Sequence, residues 1–238
     1  MKSTRQLFVF NLIGTVFDAK GIYVRAFADA CEAHGLNPAM HINEVKAAIG
    51  NKRLKEMVSD LFPDMTDEEF KEFQTTCNRI RDDLLVSDCQ PFPHVFDAVN
   101  YLQSIDHVTA LVTGTAGEAV KLLSDKYSLA SLFGETNIHS RDLEKDAALN
   151  NVQLRERQLS DLQWQHKGLW LSLIGDSVAD CVAAYPMYYE FWAFLHDSSD
   201  AQELRERTEP DRNFYDYAEF IDRIKGYETT TSLRCNPN

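Results

Sequence analysis

Three short segments of the sequence carry the polar residues whose types and spacing could do chemistry. Each segment includes an apolar run, and their sequences are FVFNLIGTVFD from residue 8, LVTGT from residue 111 and LSLIGDSVAD from residue 171. The paired carboxylates Asp176 and Asp180 suit a hard divalent cation such as Mg²⁺, which prefers oxygen ligands. The hydroxyl of Thr113 and the N–H of Gly114, close to the start of a predicted helix, suit a phosphate. Together they predict a magnesium-assisted phosphoryl site, although either acid taken singly also fits an ordinary helix N-cap or first-turn position.

These segments lie at the ends of predicted strands, which alternate with predicted helices along most of the chain. Apolar runs at residues 7–10, 108–112, 169–174 and 190–195 are typical of buried strands. Strands that alternate with helices predict an α/β fold with a doubly wound parallel sheet. Ligands of such sheets bind beyond the carboxyl ends of the strands. We therefore expect the three polar segments to meet at one edge of the sheet.

The stretch from residue 19 to residue 92 interrupts this alternation, because its pattern is helical and contains little strand signal. Tyr23, Phe27 and Ala30 fall on one face of its first predicted helix. We predict an inserted α-helical cap domain over residues 19–92 and a core domain formed by residues 1–18 and 93–238. Two chain crossings would let such a cap close over a ligand and exclude water.

The composition limits the class of partner. Of the 238 residues, 44% are hydrophobic and 26% are charged, and the net charge is −13. An acidic chain argues against nucleic acid or an anionic membrane, since both favour a basic surface. No apolar window approaches the length of a membrane span, and the N-terminal residues lack the pattern of a signal peptide. The five scattered cysteines contain no CxxC pair, so we expect reduced thiols and a cytoplasmic location.

The three segments, in this order, resemble the motifs of the haloacid dehalogenase (HAD) superfamily. FVFNLIGTVFD resembles its first motif, hhhDxDGTxxD; LVTGT resembles the second, a strand that ends in Thr or Ser; and LSLIGDSVAD resembles the fourth, GDxxxD. The stretch CQPFPHVFDAVNYLQ resembles the return from a type C1 helical cap into the core. Within the superfamily the likeness is greatest to the phosphonatase-like and phosphoglycolate-phosphatase-like branch.

The first motif departs from the family pattern at both catalytic positions. The family's nucleophile is the first Asp of the motif, which attacks phosphorus, and Asn11 stands there. The family's general acid/base is the Asp two residues later, and Ile13 stands there. A neutral amide is a far poorer nucleophile and a weaker Mg²⁺ ligand than a carboxylate. Loss of a covalent nucleophile can cost on the order of 10⁶ in rate, and loss of a general acid/base ~10²–10⁴.

The resemblance assigns roles to the remaining residues of the site. Thr113 and Gly114 would bind the phosphate, while Asp176, with Asp180 in support, would hold Mg²⁺ together with Asn11 and the backbone carbonyl of Ile13. The third motif requires a lysine that neutralises the phosphate and holds the nucleophile. Lys145 is the best candidate for that lysine, because it lies 32 residues after Thr113 and 31 before Asp176, and Arg141 is the second.

The resulting expectation is a HAD hydrolase-like protein for a small phosphorylated or phosphonate metabolite, inactive or impaired because of Asn11 and Ile13. The alternative is a non-catalytic HAD pseudoenzyme that binds phosphate, a metabolite or a partner protein. Both an original asparagine and an engineered Asp-to-Asn change at position 11 fit the sequence. An apolar and aromatic stretch at residues 185–195 favours self-association as a homodimer.

Overall fold

A parallel β-sheet of six strands lies at the centre of the computed structural model, which describes residues 5–196 and 200–234. The strands of the described chain are β1 (Gln6–Asn11), β2 (Phe17–Asp18), β3 (Gln90–Pro91), β4 (Val108–Ala116), β5 (Ile138–Arg141), β6 (Trp170–Gly175), β7 (Glu190–Phe194) and β8 (Asn213–Phe214). The sheet has the order β5-β4-β1-β6-β7-β8, and each neighbouring pair is parallel. The predicted α/β class with a doubly wound parallel sheet is confirmed.

Helices cover both faces of the sheet and form the segment between β2 and β3. They are α1 (Lys20–Ala33), α2 (Ile42–Ala48), α3 (Leu54–Leu61), α4 (Asp67–Ser87), α5 (Val95–Ser104), α6 (Gly117–Tyr127), α7 (Leu129–Phe133), α8 (Asn151–Gln165), α9 (Val178–Ala184), α10 (Ala201–Arg207) and α11 (Tyr217–Arg234). No described helix is long and apolar enough to cross a bilayer.

The central strand β1 shows why the sheet is buried on both sides. Phe8 and Phe10 pack in a cluster with residues of α5, α6 and α11, whereas Leu7 and Val9 pack in a second cluster with residues of α8. Since successive side chains of a strand point to opposite faces, an uninterrupted apolar run fits a strand that is covered twice. The helices on the two faces therefore hold β1 in the middle of the core.

The strand register places the predicted site residues side by side. Asn11 of β1 is opposite Val112 of β4, and Phe10 is opposite Ile174 of β6. Thr113 follows Val112 in β4, and Gly175, the last residue of β6, and Asp176 follow Ile174. The three polar segments thus meet at the carboxyl edge of the sheet.

Residues 19–92 contain four α-helices, α1 to α4, and no strand of the main sheet. These helices have a hydrophobic cluster of their own, in which the rings of Phe27 and Phe73 lie 5.5 Å apart edge to face. The chain enters and leaves this helical segment through β2 and β3, which pair antiparallel with each other. We call residues 19–92 the cap, and their separation from the core as a domain stays a prediction of the sequence.

Candidate functional site

A cavity of about 420 Å³ lies between the cap and the carboxyl edge of the sheet. The core contributes polar side chains to its wall, those of Asn11, Thr113, Arg141, Arg155 and Asp180, together with Ile13 and Gly114. The cap contributes Lys20 and Arg53 together with apolar side chains: Tyr23, Phe27, Met57 and Phe70. The cavity therefore has a polar floor on the sheet and a roof under the cap helices that combines cationic and apolar side chains.

The amide of Asn11 is hydrogen-bonded at both of its ends. Its Nδ2 donates to the backbone carbonyl of Ile13 at 3.1 Å and to Oδ1 of Asp176 at 3.2 Å. Its Oδ1 accepts from the backbone N–H of Leu12 at 2.9 Å and from Nη2 of Arg155 at 2.8 Å. If the amide were reversed, its oxygen would face the oxygens of Ile13 and Asp176, and its NH₂ group would face the nitrogens of Leu12 and Arg155. The hydrogen bonds therefore fix the orientation of the amide. At the family's nucleophile position this leaves a neutral group that is fully engaged.

Asp176 is a buried carboxylate at the end of β6, with 1% of its surface exposed. Its Oδ1 accepts from Oγ1 of Thr15 at 2.8 Å as well as from Asn11, and its Oδ2 forms an ion pair with Nζ of Lys20. Burial raises the pKa of Asp176 above its ordinary value, and the Lys20 charge opposes that rise only in part. The carboxylate therefore depends on the lysine to remain charged in the interior.

Lys20 is the first residue of α1, and its side chain is 22% exposed. Burial alone would lower the pKa of its ammonium, but the attraction and hydrogen bond of Asp176 outweigh that effect and raise the pKa. A Cβ on Gly14 would overlap the Asp176 carboxylate and lie 2.7 Å from Cε of Lys20. Only a glycine at position 14 leaves room for this ion pair.

A second buried ion pair joins Arg155 of α8 to Asp180 of α9. Nε of Arg155 donates to Oδ1 of Asp180 at 2.8 Å, and Nη1 donates to Gln158 at 2.9 Å. Oδ2 of Asp180 accepts from the hydroxyl of Ser177 at 2.9 Å. Ser177 is the N-cap of α9, and Asp180 lies in its first turn. Asp180 is thus a helix-terminal acid that also holds Arg155 against Asn11.

Thr113 and Gly114 lie on the cavity wall where the sequence predicts a phosphate. The Thr113 hydroxyl is buried and accepts from the backbone N–H of Thr115 at 3.1 Å. The backbone carbonyl of Thr113 accepts from Nε2 of Gln158 at 2.9 Å, and that of Gly114 accepts from Nε of Arg141 at 3.2 Å. This loop is therefore fixed by side chains from α8 and β5 before any ligand arrives.

The structure does not bring Lys145 to the site. Its side chain is 80% exposed, pairs with Asp142 at 3.4 Å and is not part of the cavity wall. Arg141, the second candidate, does line the cavity, but it donates to the backbone carbonyls of Gly114, Asp146 and Leu149. The cation that contacts Asn11 is Arg155. The choice of Lys145 rested on spacing along a chain that forms turns here, where distance along the sequence does not fix a side chain's position.

The sequence analysis does not predict that Lys20 and Arg155 lie in the site. Only Arg155 has a signal in the sequence that could have indicated its burial. On α8 the buried residues are Leu154, Arg155, Gln158, Leu159 and Leu162. Arg155 and Gln158 therefore occupy positions of the apolar stripe, where a polar residue is unusual and indicates a buried partner. Lys20 has no such signal, because it begins its helix beside a glycine and an alanine.

The donors around Asp176 do not fit a magnesium ion as they stand. Oδ1 of Asp176 and the carbonyl of Ile13 accept from donors of the protein, Oδ2 of Asp176 forms the ion pair with Lys20, and Asp180 is paired with Arg155. In residues 5–196 and 200–234 no group of three or more His, Cys, Asp or Glu side chains is placed to hold a metal.

Comparison with known proteins decides the family. The sequence profile of the haloacid dehalogenase-like hydrolases matches residues 8–193, which is most of the chain. The chain belongs to the haloacid dehalogenase-like hydrolase family. A search of curated proteins gives no match.

Solved structures of haloacid dehalogenase-like proteins share the fold. A predicted phosphoglycolate phosphatase from Haemophilus somnus 129PT has a TM-score of 0.73 at 19% identity and covers 93% of this chain and 99% of that chain. A hydrolase from Pseudomonas syringae has a TM-score of 0.73 at 17% identity, with the same coverage of 93% and 99%. A HAD family hydrolase from Deinococcus radiodurans R1, with bound phosphate and sodium, has a TM-score of 0.63 at 15% identity and covers 91% of this chain and 93% of that chain.

Replacement of Gly14 by alanine tests the packing around the first ion pair. Gly14 has a φ of 83°, so Gly14→Ala combines backbone strain with the overlap at Asp176. We expect a loss of at least roughly 2 kcal/mol in the free energy of unfolding, measured in urea. Gly21→Ala is the control, because a Cβ there meets nothing within 4 Å. An equal effect of both substitutions would contradict the geometry.

Replacement of Arg155 tests the second ion pair. Arg155→Met leaves Asp180 buried without its cation, and breaking such a pair costs roughly 3–5 kcal/mol of stability. Arg79→Met removes an exposed cation that pairs with Asp83 at 3.5 Å, and it should cost no more than about 0.5 kcal/mol. Thermal and urea denaturation of both variants check this difference. Similar stabilities of the two variants would show that Arg155 does not hold this part of the core.

Proposed function

We propose that this protein binds a small phosphorylated or phosphonate metabolite between cap and core and does not hydrolyse it by the covalent route of its family. The observation that carries the proposal is the amide of Asn11, which accepts from Arg155 and donates to Asp176. Covalent phosphoryl transfer requires a nucleophile with an available electron pair. The Asn11 amide is uncharged and engaged at both ends, and the side chain at position 13 is an isoleucine.

The charge of the cavity supports an anionic ligand. Although the chain has a net charge of −13, its charged cavity-lining residues are mostly cations. They are Lys20, Lys52, Arg53, Lys55, Arg81, Arg141 and Arg155, against the single carboxylate of Asp180 in the described lining. A concave surface of one sign concentrates ligands of the other sign. Most of these cations also form ion pairs with carboxylates, so the cavity offers several cationic donors to an anion without a large excess of positive charge.

The loop after β4 supports a phosphoryl group in particular. Gly114 lies at the cavity, three residues before α6 begins at Gly117, and the Thr113 hydroxyl is next to it. Backbone N–H groups near a helix start and a neighbouring hydroxyl form a common phosphate-binding arrangement. One of the similar structures, the Deinococcus radiodurans hydrolase, contains phosphate, and the Haemophilus somnus relative is described as a predicted phosphoglycolate phosphatase. These likenesses support a phosphorylated small molecule as the ligand here.

The binding proposal predicts affinity without turnover. Calorimetry with 2-phosphoglycolate, and with inorganic phosphate as the smaller probe, should show binding to the unchanged protein. Thr113→Val removes a hydrogen-bond donor to a charged group, which is worth roughly 1.5–3 kcal/mol, so affinity should fall by about ten-fold or more. Thr75→Val on the exposed face of α4 is the control and should bind normally. Absence of binding for both ligands would sink the proposal.

The chemical part of the proposal predicts the activity of variants at positions 11 and 13. Turnover of an activated aryl phosphate by the unchanged protein should equal the buffer rate. Asn11→Asp should produce at most slow hydrolysis, because Ile13 still provides no general acid. Asn11→Asp/Ile13→Asp should be faster than either single variant. Hydrolysis by the unchanged protein that is lost in Thr113→Val would instead establish an active hydrolase with another nucleophile.

We also propose that the protein works in a reducing compartment, the cytoplasm. The cysteines in the described part of the chain, Cys31, Cys77, Cys89 and Cys181, are buried free thiols. Burial raises the pKa of Cys31 and Cys89 to about 12, which keeps both as thiols. Thiol alkylation of the unfolded protein without reductant is the test, and unmodified cysteines would argue for disulfides.

A homodimer through residues 185–195 stays a proposal of the sequence. Tyr185, Met187 and Tyr188 at the start of this stretch are exposed, whereas Trp192 and Phe194 are core residues. The self-association surface would therefore be limited to the beginning of the stretch. Sedimentation of the unchanged protein and of Tyr188→Ser measures it.

A further inference from the structure

The ion pair between Lys20 and Asp176 occupies the place that the family resemblance gives to Mg²⁺. Of the ligands which that resemblance names, Asp176 forms an ion pair with Lys20 and accepts from Thr15 and Asn11, and the Ile13 carbonyl accepts from Nδ2 of Asn11. Each oxygen that would face a metal ion thus faces a nitrogen or a hydroxyl of the protein. A metal ion could reach these oxygens only by displacing those donors.

The charges of this arrangement balance without a metal. In the family pattern two carboxylates face a divalent cation, so the site is neutral with the metal bound. In this chain one of those carboxylates is the neutral Asn11, and the remaining one, Asp176, faces the single positive charge of Lys20. The neighbouring pair, Arg155 with Asp180, is balanced in the same way. Loss of one negative charge at position 11 and replacement of a divalent ion by an ammonium therefore compensate each other.

We propose that Lys20 is a built-in cation that takes the place of the divalent metal, so that the cavity binds anions without one. The inference rests on the proposed function for the ligand, but the replacement of the metal stands on the geometry alone. Lys20 belongs to the cap, Asp176 to the core, and Lys20 also lines the cavity. One side chain thus neutralises the buried carboxylate, ties cap to core and presents its charge to the ligand.

The space for the Lys20 side chain depends on Gly14 and on the short connection before α1. Gly14 has no side chain, and the space that its Cβ would fill is taken by Cε of Lys20 and the carboxylate of Asp176. Because α1 begins at Lys20, only two residues after the end of β2, the start of the helix is anchored close to the sheet edge. The short connection therefore holds the ammonium next to the strand ends.

The experiment titrates Mg²⁺ into the unchanged protein, and then inorganic phosphate with either excess EDTA or millimolar Mg²⁺, by calorimetry. We expect no Mg²⁺ binding and the same phosphate affinity in both buffers. Mg²⁺ binding that is lost in Asp176→Asn, or phosphate binding that requires Mg²⁺, would overturn the inference. These arms use the unchanged protein, so they do not depend on the folding of a Lys20 variant.

Variants at positions 11 and 20 provide a second test of the inference. Asn11→Asp/Lys20→Met restores the second carboxylate and removes the ammonium, and it should bind Mg²⁺. Lys20→Met alone should bind phosphate at least about ten-fold more weakly, whereas Lys71→Met on the exposed face of α4 should bind it normally. Circular dichroism confirms that each variant is folded. A folded double variant that binds no Mg²⁺ would contradict the inference.

The experiments distinguish a failure of the ligand proposal from a failure of the proposed role of Lys20. If the unchanged protein binds no phosphate in either buffer while the double variant gains Mg²⁺ binding, the ligand proposal is wrong and the role of Lys20 stands. If phosphate binds only with Mg²⁺, the ligand proposal stands and the role of Lys20 is wrong.

Discussion

A carboxylate buried at the end of the sheet needs a positive charge, and that requirement shapes the whole site. Asp176 is held at the carboxyl end of β6 with almost no exposed surface. An unpaired charge in such a place would be very costly, so a cation has to be brought to it. Lys20 supplies the cation from the cap, which links the position of the cap to the stability of the core. Gly14 leaves the space in which the two groups meet.

Asn11 is consistent with this electrostatic arrangement. Its amide both donates to Asp176 and accepts from Arg155, so it joins the two ion pairs of the site. A carboxylate at position 11 would place a second negative charge beside Asp176, opposite the single charge of Lys20. An amide donates where a carboxylate could only accept, and it adds no charge. Asn11 and Lys20 therefore together keep the charge around Asp176 balanced.

Much of the fold could be predicted from the sequence, because strand burial and strand order have strong local signals. Apolar runs that end in polar residues, as at Phe10 and Ile174, identify buried parallel strands and the edge where ligands bind. The positions of Asn11, Thr113 and Asp176 at this edge could be predicted in the same way. Lys20 and Arg155 could not, because a lysine or arginine in a helix is normally solvated, and only the packing of cap and α8 against the sheet buries them. Lys145 was predicted from the third motif of the resemblance and from spacing, and its side chain is 80% exposed.

The most direct test of the account is an experimental crystal structure of the unchanged protein grown with phosphate and Mg²⁺. The account predicts phosphate in the cavity near Thr113, Gly114 and Arg155, with the ion pair of Lys20 and Asp176 intact and no metal beside it. A magnesium ion bound to Asp176, with six oxygen ligands and with Lys20 displaced into solvent, would contradict it.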